Sequence, residues 1–235
     1  MVADAGGTDD ADPVIRVENL SYAFGSEAGR REVLADVSMS VGLSEVVLLD
    51  GPSGSGKTTL LTLIGTLRRV QRGSIRILGR ELASAKPREL LEARRRIRFV
   101  FQRHNLIACL TVLENVLSGL ALLPGSQPEW DRIRAKAVLD ALGLGDRLDT
   151  YPEELSGGQQ QRVAVARALA GLPDVLIADE PTASLDRSAG RIVMEQMVGL
   201  SKTLGCATLI STHDERIMDM ADRRLHIEDG RLTAG

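Results

Sequence analysis

Aromatic side chains are scarce, with three Phe, two Tyr and one Trp in 235 residues. A ring near a strand end is therefore a candidate for a specific task, and Tyr22, ahead of Ala23-Phe24-Gly25, is one. Cysteine is scarcer still. Cys109 and Cys206 share no metal-ligand spacing and read as two buried thiols. No stretch approaches the ~20 apolar residues of a membrane-spanning helix. The N-terminus lacks a basic region followed by an apolar core, so no secretory signal is expected and the cytoplasm is the expected compartment. Residues 1–13 contain four Asp and no base. That acidic tail has too little apolar surface to fold and is expected to be disordered.

The rest of the composition is that of a globular domain, 43% hydrophobic and 26% charged. Arg68 to Arg98 reverses the tail's charge, with eleven Lys or Arg against three Glu. A solvated face explains this, and so does a patch facing acidic lipid headgroups.

Val14 to Tyr22 alternates apolar and polar residues as a strand does, and Val37 to Val41 does the same. Glu45 to Leu49 is a short apolar strand that runs into a glycine-rich loop. Leu60, Leu61, Leu63, Ile64 and Leu67 then recur at helical spacing. Ser74 to Leu78 and Arg96 to Phe101 read as strands, with a short helix after Pro87. Between about 103 and 170 the pattern becomes helical. Thr111 and Ser156 are candidate N-caps, and Pro124-Gly125 and Gly143 are stops. Strand Val175 to Ala178, a helix from about Ser188 to Leu204, strand Cys206 to Ser211, a short helix after Asp214 and a terminal hairpin turning at Asp229-Gly230 complete the chain. Strands alternating with helices imply a largely parallel sheet with helices on both faces.

Gly51-Pro52-Ser53-Gly54-Ser55-Gly56-Lys57-Thr58 fits Gly-x-x-x-x-Gly-Lys-Thr between an apolar strand and a helix. In such a loop backbone N–H groups turn inward as an anion nest, reinforced by the helix N-terminus. Lys57 would reach the β- and γ-phosphates, the Thr58 hydroxyl would hold Mg²⁺, and Thr59 would donate to the α-phosphate. An ordinary glycine turn is the plain alternative. Asp179-Glu180 ends an apolar strand, where adjacent carboxylates are costly unless a cation or a reaction uses them. Asp179 would join the Mg²⁺ shell and Glu180 would polarise the attacking water; a solvated strand end is the alternative. Ser156-Gly157-Gly158-Gln159 opens a helix with exposed N–H groups, either as a mere cap or as a second anion site. Two separate nests in one chain suggest a head-to-tail dimer in which each closes over the partner's ATP. His213 ends a strand and would sense the γ-phosphate, unless it is structural. Gln102 could bind Mg²⁺ or the attacking water while moving with the helical insertion. Tyr22 would stack on adenine or pack in the core. His104 and His226 read as structural.

Together these residues resemble the nucleotide-binding subunit of ATP-binding cassette transporters, from about Val14 to the end. The resemblance implies an α/β fold: a P-loop NTPase core with a mainly parallel sheet, an N-terminal antiparallel β subdomain and a helical subdomain inserted at about 103–170. It makes Gly51 to Thr59 the Walker A loop, Asp179 and Glu180 the Walker B pair, and Leu155 to Arg162 the signature motif. Gln102 falls at the Q-loop, Ala183-Ser184-Leu185-Asp186 at the D-loop, His213 at the switch histidine and Tyr22 at the adenine-stacking aromatic. Leu60 to Leu67, with Phe101 to Leu106, is similar to the ATPases of lipoprotein-release and macrolide-export systems, nearest the heterocyst-glycolipid-exporter type. Such a resemblance implies ATP and Mg²⁺, a homodimer, a membrane permease, in many cases a periplasmic adaptor, no nucleic acid, and a place on the inner face of the cell membrane. A regulatory ATPase acting on envelope or cell-division machinery without transport remains the alternative. Asp50 departs from the pattern, because a carboxylate before the loop opposes phosphate binding unless it points away or pairs with a base. Asp50→Gly is expected to leave nucleotide affinity the same or tighter.

Overall fold

The computed structural model describes residues 12–25 and 29–234. The acidic tail expected at 1–13 therefore lies outside the described residues except for its last two, and Asp12 pairs with Arg16 at 2.9 Å.

Two sheets carry the fold. The first is antiparallel in the order β2-β1-β4-β5, from β1 (Ile15–Phe24), β2 (Arg31–Val41), β4 (Arg72–Ile77) and β5 (Arg80–Glu81). The second has the order β10-β9-β3-β8-β7-β6 and is parallel except for its terminal hairpin. Its strands are β3 (Val46–Asp50), β6 (Ile97–Phe101), β7 (Val175–Asp179), β8 (Ala207–Ser211), β9 (Arg223–Glu228) and β10 (Arg231–Ala234).

The period of two decides how the central strands are buried. In β3, Val46 and Leu48 join one core cluster while Val47 and Leu49 join the other; in β7, Leu176 and Ala178 take the first and Val175 and Ile177 the second. The first cluster lies under the helices α3 (Val112–Leu120), α4 (Pro128–Ala141), α5 (Gly157–Leu169) and α6 (Arg187–Thr203). The second fills the space between the two sheets and α1 (Lys57–Ile64). Both faces are thus buried, leaving strand ends as the places where polar side chains emerge.

Helix starts follow the caps. Thr111 Oγ1 accepts from Glu114 N at 3.3 Å, and Glu114 returns a carboxylate to Thr111 N at 2.8 Å. A short helix, α2 (Pro87–Arg96), opens with proline in its first turn and ends on three arginines that suit its C-terminus. The basic stretch is largely partnered: Arg76 lies 3.5 Å from Glu81, Arg80 2.9 Å from Glu92 and Arg96 2.5 Å from Asp174. Arg94 donates to the Thr66 hydroxyl and carbonyl. The expectation of two buried thiols needs correcting. Cys206 is buried, but Cys109 is exposed in the turn before Thr111, where no strand or helix carries it into a core.

Candidate functional site

β3 delivers the chain into the loop 51–56, and α1 takes it away. Gly51, Gly54 and Gly56 have φ of 138, 80 and 113°. A side chain at Gly51 would put Cβ 2.1 Å from the Ile227 carbonyl oxygen, so the position tolerates only hydrogen on both counts. Lys57 is 7% exposed and its ammonium donates to the carbonyls of Gly51 and Pro52 at 2.7 and 2.9 Å. Its charge is thereby held over the loop it would share with a phosphate. Ser55 Oγ is buried without a partner, a donor left unused inside the nest. Pro52, Ser53, Gly54 and Thr58 are exposed at the mouth, with Thr59 half-buried.

The carboxylates arrive from β7. Thr58 Oγ1 donates to Asp179 Oδ1 at 3.2 Å, bringing together two of the three residues expected around Mg²⁺. The third, Gln102, is exposed and follows Phe101, whose register partner is Asp179. Among the described residues no group of three His, Cys, Asp or Glu is placed to hold a metal by itself. One hydroxyl, one carboxylate and one amide nevertheless suit a hard cation that completes its shell with phosphate and water oxygens.

Glu180 has φ of 52°, a left-handed conformation that costs a non-glycine residue about 1 kcal/mol. Its N–H is held by Ser211, donating to the carbonyl at 3.1 Å and the hydroxyl at 3.0 Å. The resulting turn aims the side chain into a cleft of about 380 Å³ with Thr182, Ala183, Leu185, Thr212, His213 and Asp214. There His213 Nδ1 lies 2.6 Å from Glu180 Oε2, with the imidazole 66% exposed and the carboxylate 21%.

Ser211 is a functional residue that the sequence analysis missed. Fully buried at the end of β8, it also donates to Asp179 Oδ1 at 2.6 Å, so it holds the Asp179 carboxylate and the Glu180 backbone together. Its signal was available: a hydroxyl ending the strand beside the acid-bearing one.

Ser156 caps α5, its hydroxyl accepting from Gln159 N at 3.3 Å while Gln159 Oε1 accepts from Ser156 N at 2.9 Å. Ser156 and Gly157 are exposed, and Gly158 and Gln159 half-exposed. Gly158 packs on α6, since a Cβ there would lie 3.2 Å from that of Ala189. Among the described residues no hydrogen bond or ion pair joins this turn to the loop 51–56. Further along α5, buried Gln161 donates to the Phe101 carbonyl at 3.3 Å, and Arg167 donates to the carbonyls of Asn105 and His104 at 2.7 and 2.9 Å. Burial pulls the Arg167 guanidinium below its ordinary value, so those two carbonyls take the place of lost water. The segment containing Gln102 is thus tied at both ends to the helix that begins with Ser156. Sequence analysis missed this tie as well.

Tyr22 is half-buried against the second core cluster. The exposed ring at the end of β1 is Phe24, with the Arg68 guanidinium 4.8 Å from its centroid. Core packing, the alternative for Tyr22, describes its surroundings. His104 is half-buried, and burial lowers its basicity. His226 does more than fill space, since its Nδ1 is hydrogen-bonded to Asp50.

A phosphate nest, a paired lysine, a hydroxyl–carboxylate pair and a strained glutamate at the C-terminal ends of parallel strands define a P-loop nucleotide triphosphatase. The chain belongs to the ABC transporter family, whose model matches residues 34–183. It is 42% identical over 222 residues to the lipoprotein-releasing system ATP-binding protein LolD 2 of Rhodospirillum rubrum, covering 94% of this chain and 96% of that one. A 40% identity over 223 residues links it to the macrolide export ATP-binding/permease protein MacB of Aggregatibacter actinomycetemcomitans, of which it spans 34%. Among solved structures, the dimeric ATP-binding cassette MJ0796 in a post-hydrolysis state with ADP and Pi superposes with a TM-score of 0.83. That cassette is 34% identical, with 94% of this chain and 98% of that one covered. The protein is an ATP-hydrolysing cassette, with a mainly parallel sheet, an antiparallel N-terminal sheet and packed helices.

Proposed function

We propose that this cassette closes head-to-tail with a second copy over two Mg·ATP and drives a membrane permease that exports a lipid, lipoprotein or drug-like substrate. The observation that carries this reading is the separation of two anion-binding turns in one chain. One is braced on buried Ser55, Gly56 and Lys57 beside Asp179 and Glu180, whereas the other, at Ser156 and Gly158, shares no hydrogen bond with it. A triphosphate in the first needs a second body to use the other.

In this mechanism Lys57 leaves the carbonyls of Gly51 and Pro52 for the β- and γ-phosphates, and the loop N–H groups and Ser55 hydroxyl take the remaining oxygens. Thr58, Asp179 and Gln102 would hold magnesium, which neutralises charge developing on the phosphates. Glu180, held by Ser211, directs the in-line water. His213 exchanges its contact with Glu180 for one with the γ-phosphate. Ser156, Gly157, Gly158 and Gln159 of the partner close the site. We place the base against Phe24, the exposed ring, in preference to Tyr22. Residues of about 103–170 act as a helical subdomain that docks on the permease and carries Gln102 with it through Gln161 and Arg167. Among the described residues no helix is long and apolar enough to cross a membrane. The cassette would therefore sit peripherally on the inner face, with any periplasmic adaptor reached through the permease.

Glu180→Gln tests the reading by removing the carboxylate while keeping its shape. Light scattering should show a dimer only with ATP, and hydrolysis should fall by about 10²-fold or more. A variant that stays monomeric at saturating ATP, or turns over normally, ends the proposal.

A further inference from the structure

Asp50 ends β3 one residue before the phosphate loop, and the parallel register of β3 and β9 sets it opposite His226. Its carboxylate is hydrogen-bonded to His226 Nδ1, with the two side chains 22% and 36% exposed. His226 Nε2 faces Glu228 Oε2 at 3.9 Å, and Thr233 across on β10 donates its hydroxyl to the His226 backbone carbonyl. Among the described residues, Asp50 and Glu228 are thus the charged groups set against this imidazole. The same hairpin holds the loop at two more points. Ile227 presents its carbonyl to the bare α-carbon of Gly51, and Gly230 N donates to Ser55 O at 3.2 Å.

A carboxylate at the rim of an anion nest opposes the ligand the nest is built for. Two features here blunt that effect. The hydrogen bond turns the Asp50 side chain along the strand ladder toward β9, and the imidazole covers one of its oxygens. We propose that Asp50 and His226 are a hydrogen-bonded brace for the phosphate loop, with His226 as the positioning residue that lets a carboxylate sit beside a triphosphate. The inference rests on residues 51–59 being the triphosphate cradle. Neither residue touches the reacting atoms. The brace sets how strongly the loop discriminates by phosphate charge, and ties that discrimination to the seating of the terminal hairpin.

Calorimetric binding of ATP, ADP and AMP to His226→Gln, Asp50→Asn and the double variant tests the brace. His226→Gln removes the imidazole that turns the carboxylate toward β9 and covers it. Its ATP affinity should drop about three- to tenfold at low salt, less for ADP and least for AMP, and the loss should shrink in high salt. Asp50→Asn should bind ATP as well as or better than the parent. The double variant should return to within about twofold of the parent, because removing the carboxylate removes the need for its partner. Unchanged ATP affinity in His226→Gln, losses that add in the double variant, or equal losses for all three nucleotides would overturn the brace and leave a packing role. Lys57→Ala separates this failure from a failure of the cradle. If it loses ATP binding while His226→Gln does not, the brace alone falls; if Lys57→Ala binds ATP normally, cradle and brace fall together.

Discussion

The loop after β3 and the turn before α5 present backbone N–H groups to an anion in opposite ways. The first is braced by its own chain. Its glycines adopt conformations other residues resist, its lysine is buried on its own carbonyls, and the terminal hairpin presses on it from behind. The second is an ordinary capped helix start, with Ser156 exposed and its hydroxyl occupied by Gln159 N. A nest with a buried lysine has its own cation to set against an anion, whereas a capped helix start has only backbone N–H groups to offer. Division of labour between two copies follows from that difference.

The sharpest way to break the comparison is to charge each region separately. Lys57→Ala should cost a single chain about 10²-fold or more in ATP affinity, because a buried cation is lost from the nest. Ser156→Asp keeps a good N-cap but adds a carboxylate where a partner's triphosphate would come. Affinity of the lone chain should then stay within about twofold, while ATP-dependent dimerisation disappears and turnover drops about 10²-fold. If Ser156→Asp turns over like the parent, the turn is only a helix cap. Ser211→Ala should come next. Asp179 and the Glu180 N–H each lose a hydrogen bond at a buried strand end, for about a tenfold fall in kcat with little change in KM.

A smaller effect tests the tie between the two regions. Arg167→Lys keeps the charge but cannot reach both carbonyls, so turnover should fall about threefold while ATP binding is untouched. The smallest contrast is chemical. Burial pushes the Cys206 thiol up to about 12, so it stays protonated and shielded, whereas Cys109 is exposed. Alkylation near neutral pH should therefore modify Cys109 alone, leaving ATPase activity intact, and a peptide map would show a single labelled site.

Much of the nucleotide side was legible along the chain, for a local reason. Glycine spacing, the Lys-Thr pair and the strand that ends in Asp179-Glu180 each state their geometry within a few neighbouring residues. Helix caps at Thr111 and Ser156 were readable on the same ground. Ser211 and the Gln161–Phe101 and Arg167–His104 contacts were not, because their partners lie 31 to 63 positions away. Tyr22 and Phe24 show the same limit. They alternate by two on one strand, and only packing against the core decided which ring stays exposed.

What the residue order settled by itself was the chemistry: a loop that must turn through glycine, a lysine at its exit, and carboxylates at the end of an apolar strand. What tertiary structure alone decided was company. Parallel pairing of β3 with β9 put His226 beside Asp50, and β8 slid Ser211 under Asp179 and Glu180. Covalent sequence restricts backbone torsions locally, but hydrogen-bond partners across a sheet are chosen by register. Register is set by which faces the whole molecule must bury.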